Sequence, residues 1–419
     1  MFAPAAARAP AQVVVTREQY EEDFDLLWRA VAEEYAYFDS KRTDWARVRE
    51  IHRPRLASVR TRAEFVALLE TVLEELYDFH THLNTNTAAS PRLVPSGADV
   101  WAEWRAGEAV VTEVRPGSAA ASAGVRVRMR VISIGGVPVG EAVRARVGRS
   151  VPAGDAAARD WALRALLAGR RNERRVVEVS DGVSARTLSI EDPPAGAPTA
   201  TRPPLERRRL GRGFGYVRLN NSLGDTALIK SFDDALAELR DTRGLILDLR
   251  DTPSGGNTLV ARALMGRFVS RETPYQKHSV PAEERRHGVR RSWVEMVSPR
   301  GPFVYTKPLV VLVNHWTGSM GEGTAIGLDG AGRATVVGTE MARLVGATSQ
   351  TRLPHTGIGV TFPTEKLFHV RGTPREEFVP PVYVDLLAGR GRDGEDLIMR
   401  AGLRALENLT RRRRRARGA

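Results

Sequence analysis

Leu309-Val310-Val311-Leu312-Val313-Asn314-His315-Trp316-Thr317-Gly318-Ser319-Met320-Gly321-Glu322-Gly323 compresses three elements into one stretch. Five consecutive apolar residues read as a strand buried on both faces. A turn of small and polar residues follows, and a helix is expected from about Glu322. A serine at such a junction has its hydroxyl exposed by the sharp turn. It also lies at a helix N-terminus, where free N–H groups favour negative charge. The same text also suits a plain Ser/Gly-rich turn that caps a helix.

The neighbouring text extends the strand–helix alternation. Residues 214–219 read as a strand, and Asp225 can cap a helix carrying Leu228, Phe232, Leu236 and Leu239 on one face. Residues 245–249 form another continuous apolar strand, interrupted only by Asp248. Buried strands alternating with amphipathic helices predict an α/β core over residues 213–388, with helices covering a sheet. After the strand comes Asp251-Thr252-Pro253-Ser254-Gly255-Gly256-Asn257. Paired glycines let backbone N–H groups approach a ligand closely, as an oxyanion hole requires, though a strand-to-helix loop uses them too. A C-terminal helix is expected over residues 389–410. Residues 411–419, arginine-rich with no apolar face, are expected to be a disordered and dispensable tail.

Upstream, residues 1–15 read as a flexible N-terminus and residues 16–88 as a helical lobe. Thr16 with Gln19, and Thr61 with Glu64, have capping-box spacing. Tyr20, Phe24, Leu27, Val31 and Tyr35 make one helical stripe, and Phe65, Leu68, Leu69, Val72 and Leu76 a second. The lobe ends in Asp78-Phe79-His80-Thr81-His82. Residues 100–190 change to short β-like runs broken by glycine, clearest at 109–114, 129–134 and 174–179. Pro116-Gly117-Ser118 opens a turn and short helix between the first two. Residues 191–212, with Pro193, Pro194, Pro198, Pro203 and Pro204 followed by Arg207-Arg208-Arg209, read as a stiff linker.

Together these segments resemble the tail-specific, or C-terminal processing, serine peptidase family, and especially its tricorn-like branch. Residues 247–256 are similar to the family's L-D-L-R-x-N-x-G-G text, with one extra residue. Residues 314–322 are similar to N-x-x-T-A-S-A-S-E. Asp78, His80 and Thr81 match the D-x-H-T that ends the tricorn-like lobe. Gly372-Thr373-Pro374-Arg375-Glu376-Glu377, followed by Pro380-Pro381, resembles the stretch supplying that branch's acidic residue. Residues 116–124 resemble the middle of a PDZ domain, with Gly135-Gly136 at its last turn and Arg128-Met129 in place of the usual Gly-Asp.

The resemblance implies a multidomain α/β chain: a helical N-terminal lobe, a PDZ-like β domain and a crotonase-like (ClpP/crotonase) α/β core. It implies hydrolysis of protein or peptide substrates, with Ser319 as nucleophile, His80 as base, Glu376 as the acid that orients it, and the N–H groups of Gly256 and Met320 as oxyanion hole. His82, Glu377 and Gly255 stand as the second candidates for base, acid and donor. The PDZ-like domain is expected to bind a peptide C-terminus and to govern access rather than chemistry. Two departures matter. The Ser-Lys branch carries a lysine 25–30 residues after its serine, and none lies between Lys307 and Lys366 here. Phe79 also replaces the serine that precedes the histidine in the tricorn pattern.

Composition narrows the alternatives. The chain has 419 residues, 42% hydrophobic and 27% charged, and no apolar run long enough to span a bilayer. With no cysteine, disulfides, thiol catalysis and thiolate metal sites are excluded. His52, His278, His287, His315, His355 and His369 lack metal-ligand spacing and read as structural, so no metal or organic cofactor is implied. The net charge of +13 is nearly all arginine and spread along the chain, without a nucleic-acid-binding motif, so no nucleic-acid partner is expected. Residues 1–12 lack the apolar core of a secretory signal, which fits a cytoplasmic location; the family resemblance also allows a periplasmic or secreted one. Three rival functions share parts of this text: a peptide-binding protein without turnover, an acyl-CoA enzyme on the same core, and a surface binder using the arginine tail. The lobe and PDZ-like insert count against the second.

Overall fold

The structure, a computed structural model, describes residues 15–191, 202–388 and 395–418. At its centre lies a six-stranded sheet, ordered Val382–Tyr383, Ala334–Gly338, Leu309–Val313, Leu245–Asp248, Phe214–Leu219, Leu205–Leu210. The first five strands run parallel and the last is antiparallel. Its strands alternate side chains between two cores. Leu245, Leu247, Leu309, Val311 and Val313 pack with the helices Ala227–Glu238, Thr258–Met265 and Met320–Gly330. Ile246, Val310 and Leu312 pack on the other side with Ile398 and Leu406 of the helix Leu397–Gly418. Helices on both faces explain the unbroken apolar text, and each such side chain contributes about 1.5–3 kcal/mol by leaving water. Because the strands are parallel, the loops after Asp248 and Val313 emerge at the same end of the sheet, where open α/β sheets place their sites.

Two sequence expectations are corrected here. The linker is shorter than 191–212, because Leu205–Leu210 pairs with Phe214–Leu219 as an edge strand. Its arginines suit an edge: Arg207 reaches Glu238 at the end of the neighbouring helix and Arg209 reaches Asp241 in the turn after it, and a charged edge resists pairing with another chain. The prolines at 193, 194 and 198 lie outside the described residues. The C-terminal helix begins at Leu397 and runs on to Gly418, so residues 411–418 continue a helix instead of forming a disordered tail. Arginine is a good helix former, the preceding turns are anchored by Leu406 and Thr410, and Arg413 donates to the Thr306 carbonyl.

The helical lobe opens with Arg17–Glu34. Its capping box is formed: Gln19 N donates to Thr16 Oγ1 (3.3 Å) and Thr16 N to Gln19 Oε1 (2.9 Å). Arg62–Glu74 starts from the matching Thr61–Glu64 box. Both stripes are buried, but not within the lobe alone, since their core includes Leu353, Ile358, Val360 and Phe362. The short strand His82–Leu83 pairs antiparallel with Thr361 and Val360 of the long strand Gly359–Phe368. That pairing belongs to a second, five-stranded sheet, and it brings the end of the lobe to the C-terminal half of the chain.

Residues 100–190 form a third sheet, entirely antiparallel, built on Val100–Arg105, Glu108–Val114, Arg130–Ile134, Arg175–Ser180 and Ala185–Ile190. The strands at 109–114, 129–134 and 174–179 are found within one residue of their expected bounds, and Ala119–Ala123 is the short helix. Two further helices, Val139–Arg146 and Ala156–Ala168, were not evident from the β-like text.

Candidate active site

The turn after Leu309–Val313 is fixed from below. Thr317 Oγ1 accepts from Asn314 N (3.1 Å) and donates to Leu249 O (3.1 Å), which ties this turn to the one following Asp248. Ser319 then takes φ +48° and ψ −112° immediately before the helix Met320–Gly330. A non-glycine residue at positive φ costs on the order of 1–3 kcal/mol and persists only where its surroundings enforce it. Two side chains do so. Glu322, fully buried, accepts from Ser319 N (2.8 Å) and from Arg343 N (2.9 Å). Arg375 donates to Ser319 O (3.4 Å).

The glycine loop lies directly against this turn. Gly255 has φ +64°, and a Cβ placed there would sit 2.5 Å from Ser319 Cβ and 2.9 Å from Met320 N. Among the described residues, neither Gly256 N–H nor Met320 N–H has a backbone acceptor. The structure therefore brings together Ser319, Met320, Gly255 and Gly256.

Asp78 explains the spacing of the histidine text. Its Oδ1 accepts from His80 N (2.8 Å), while Oδ2 accepts from Thr81 Oγ1 (2.8 Å) and Tyr35 Oη (3.1 Å). His80 Nδ1 lies 2.8 Å from Val345 O. A carbonyl can only accept, so Nδ1 carries the proton and Nε2 of the neutral ring keeps its lone pair. Burial, together with the Arg375 guanidinium, lowers the His80 pKa to about 4. Arg375 also donates to Leu344 O (2.7 Å) and Gly346 O (2.8 Å), on either side of the carbonyl that holds His80.

His82 is directed elsewhere. Its Nδ1 meets its neighbour Leu83 O (3.2 Å), and it lines a small cavity with Leu73, Phe79, Val94 and Trp161, to which neither Ser319 nor His80 contributes. Phe79 stacks on Trp161 at 5.8 Å, so the position that carries serine in the tricorn pattern serves packing here. Glu376 lies on the turn Arg375–Glu377, its pKa raised by burial, with Oε2 buried and without a hydrogen-bond partner among the described residues. The Val345 carbonyl occupies His80 Nδ1, and Asp78 is the carboxylate whose charge favours the protonated ring. Glu377 is exposed. Lys366 pairs with Asp39.

Two residues at the site were not assigned roles from sequence. Glu322 stands three positions after Ser319, the spacing of a capping box, and that was the available signal. Arg375 had none beyond its place next to Glu376. The small β domain also reaches the nucleophile turn. Glu113 accepts from Asn314 Nδ2 (2.7 Å) and pairs with His315 Nδ1 (2.7 Å). Trp316, fully buried, donates to Ala98 O (2.8 Å).

A serine on a strained strand-to-helix turn, glycine N–H groups against it and a neutral histidine near the same support are the parts a serine-type hydrolase would use. Residues 213–382 match Peptidase family S41, and residues 16–74 match the tricorn protease C1 domain. A carboxyl-terminal-processing protease from Picosynechococcus sp. is 24% identical over 332 residues, covering 76% of this chain and 72% of the relative. These likenesses support a serine peptidase of the tail-specific S41 type. The chain's fold is shared by mature CPAF, with TM-score 0.61 and 16% identity over 94% of this chain and 96% of the other. The photosystem II D1 C-terminal processing protease shares it at TM-score 0.53 and 20% identity, over 88% of this chain and 93% of that one.

Proposed function

We propose that the chain is an endopeptidase in which Ser319 attacks the peptide carbonyl while His80 Nε2 accepts its proton. The observation that carries this reading is the His80 Nδ1–Val345 O bond, which fixes the tautomer and leaves Nε2 free as the base. A histidine kept neutral has a lone pair to accept a proton at pH 7. The Asp78 charge and the Val345 carbonyl favour the protonated ring against the burial and Arg375 charge that lower its pKa. As the hydroxyl proton transfers, the imidazolium formed is stabilised by the nearby Asp78 carboxylate and the Val345 carbonyl. The N–H groups of Gly256 and Met320 receive the charge that develops on the carbonyl oxygen. His80 then returns the proton to the leaving amine, and water repeats the sequence on the acyl-enzyme. Glu376 contributes a buried carboxyl near the site rather than a direct bond to the base.

In this reading the parallel sheet and its helices are a crotonase-like core. The domain at 100–190 is PDZ-like and takes a substrate chain at a sheet edge, as such domains add an extended peptide. Fluorophosphonate labelling, with hydrolysis of fluorescein-labelled denatured casein, tests the assignment. Ser319→Ala should abolish labelling, and His80→Ala should slow both reactions by roughly 10³-fold or more. The double variant should be little worse than either alone. Full activity in His80→Ala with loss in His82→Ala would transfer the base to His82.

A further inference from the structure

Ser319 and His80 come from segments more than two hundred residues apart, and the chain between them offers no direct covalent support for their spacing. One short segment, residues 343–346, is bonded to His80 directly and to Ser319 through two bridging side chains. His80 Nδ1 donates to Val345 O. Glu322 accepts Ser319 N with one carboxyl oxygen and Arg343 N with the other. Arg375 donates through Nη1 to Ser319 O and through Nη2 to Leu344 O and Gly346 O. Both main-chain polar groups of the nucleophile are therefore tied by single side chains to the segment that orients the base.

We propose that Glu322 and Arg375 are positioning residues that together form a two-armed clamp setting the distance and angle between Ser319 and His80. The proposal rests on the Ser319–His80 reading above. It accounts for three features that fold stability alone leaves unexplained. A glutamate fully removed from solvent spends both oxygens on backbone N–H groups, with the Arg375 charge acting on it. An almost fully buried arginine donates to three main-chain carbonyls. Ser319 is held at positive φ, which the clamp maintains by gripping the residue on both sides. Planar, forked groups suit this task, since each can reach two or more main-chain atoms in fixed relative positions.

Geometry and charge separate in Arg375. The charged and titratable groups acting on His80 are Arg375, Asp78 and His82, of which Arg375 and His82 disfavour its protonation and Asp78 favours it. Arg375→Lys keeps the charge but can satisfy fewer carbonyls, whereas Arg375→Gln loses both. Glu322→Gln keeps shape and volume but replaces one acceptor oxygen with a donor.

The experiment measures kcat, KM and fluorophosphonate labelling rate on these three variants of the full chain, with Ser319→Ala and His80→Ala as references. The clamp predicts that Arg375→Lys and Glu322→Gln lower kcat and labelling together by about 10²-fold, the cost of a displacement near 1 Å, with KM little changed. The acid limb of kcat/KM should move to higher pH in Arg375→Gln and stay in place in Arg375→Lys. A combined Arg375→Lys/Glu322→Gln variant should be less impaired than the product of the two singles, because both arms set one distance. If both single variants retain wild-type kcat while Ser319→Ala and His80→Ala are silent, the clamp is refuted and the nucleophile–base assignment stands. If Ser319→Ala or His80→Ala retains activity, that assignment fails and the clamp falls with it. Should Arg375→Lys fail to fold, the near-isosteric Glu322→Gln decides the outcome.

Discussion

Substituting Gly255 by alanine tests how closely the glycine loop and the nucleophile are matched. The residue has φ +64°, where a Cβ costs roughly 1–2 kcal/mol in backbone strain. The larger effect is contact: the new carbon would lie 2.5 Å from Ser319 Cβ and 2.9 Å from Met320 N. Carbon atoms rest at about 3.5–4.0 Å, so the loop and the serine turn must separate by about 1–1.5 Å. Neither neighbour can yield as a flexible side-chain end does, since one is the Cβ of a strained residue and the other is backbone. A shift of that size at the nucleophile and its adjacent oxyanion donor is expected to lower kcat by about 10²-fold. Gly117→Ala is the matched control, with φ +70° and open space around its Cβ, and should show strain alone. Steady-state hydrolysis and chemical denaturation of both variants give the two quantities. A larger stability loss in Gly255→Ala than in Gly117→Ala, with kcat reduced only in Gly255→Ala, is the expected result. Wild-type kcat in a folded Gly255→Ala would show that the loop does not define the site, and Gly256 would lose its role as oxyanion donor.

Three further outcomes follow from other parts of the molecule. Glu113→Ala leaves Asn314 and His315 without their carboxylate, so kcat should fall on short and long substrates alike, by at least tenfold; loss confined to long substrates would show that the small domain acts on access alone. Truncation after the buried Thr410 of the C-terminal helix should leave kcat unchanged, checked by casein hydrolysis. Burial pushes the Glu322 pKa up to about 7, so between about 4.5 and 7 the folded state holds a proton that the unfolded chain releases. Stability should therefore decrease as pH rises through that window, by on the order of 3 kcal/mol, and Glu322→Gln should flatten the slope in urea unfolding at pH 5 and 7.5.

Much of this was legible because local chemistry and tertiary environment agreed. The strand at 309–313 is apolar at every position because helices cover both faces of its sheet. The caps at Thr16 and Thr61 are satisfied within their own first turns. Ser319 could be found because a serine before a helix leaves a short-range pattern. What was not legible depended on partners distant in sequence. The text at 78–82 contains two histidines two residues apart, and nothing local distinguishes them; Asp78 and the Val345 carbonyl do so only after Leu83 pairs with Val360. The Val345 carbonyl on His80 was not legible because a main-chain acceptor leaves no trace in residue identity. The arginines at 411–415 lack an apolar face, yet the helix that Leu406 and Thr410 anchor carries them onward as a continuous rod.

The small β domain was expected to control which chains reach the site, but its contacts assign it a structural share of the site itself. Trp316 is fully buried, although it lies on the nucleophile turn, and its indole N–H is satisfied by Ala98 from outside the core. Trp101 stacks on His315 at 4.6 Å, and Glu113 closes the same contact through two hydrogen bonds. Arg115 adds an ion pair to Asp251, at the start of the glycine loop, at 2.5 Å. The domain therefore grips both turns that present Ser319, Gly255 and Gly256, a few residues upstream of each. Removing it would expose a tryptophan and leave Asn314 and His315 without their partners, at a point where displacements of 1 Å already affect rate. The domain can then influence hydrolysis in two ways: by holding a peptide so that its scissile bond is delivered, as proposed, and by bracing the turns that must receive it. Only the second survives when the substrate is too short to reach the domain, which is why equal loss on short and long peptides is the informative result.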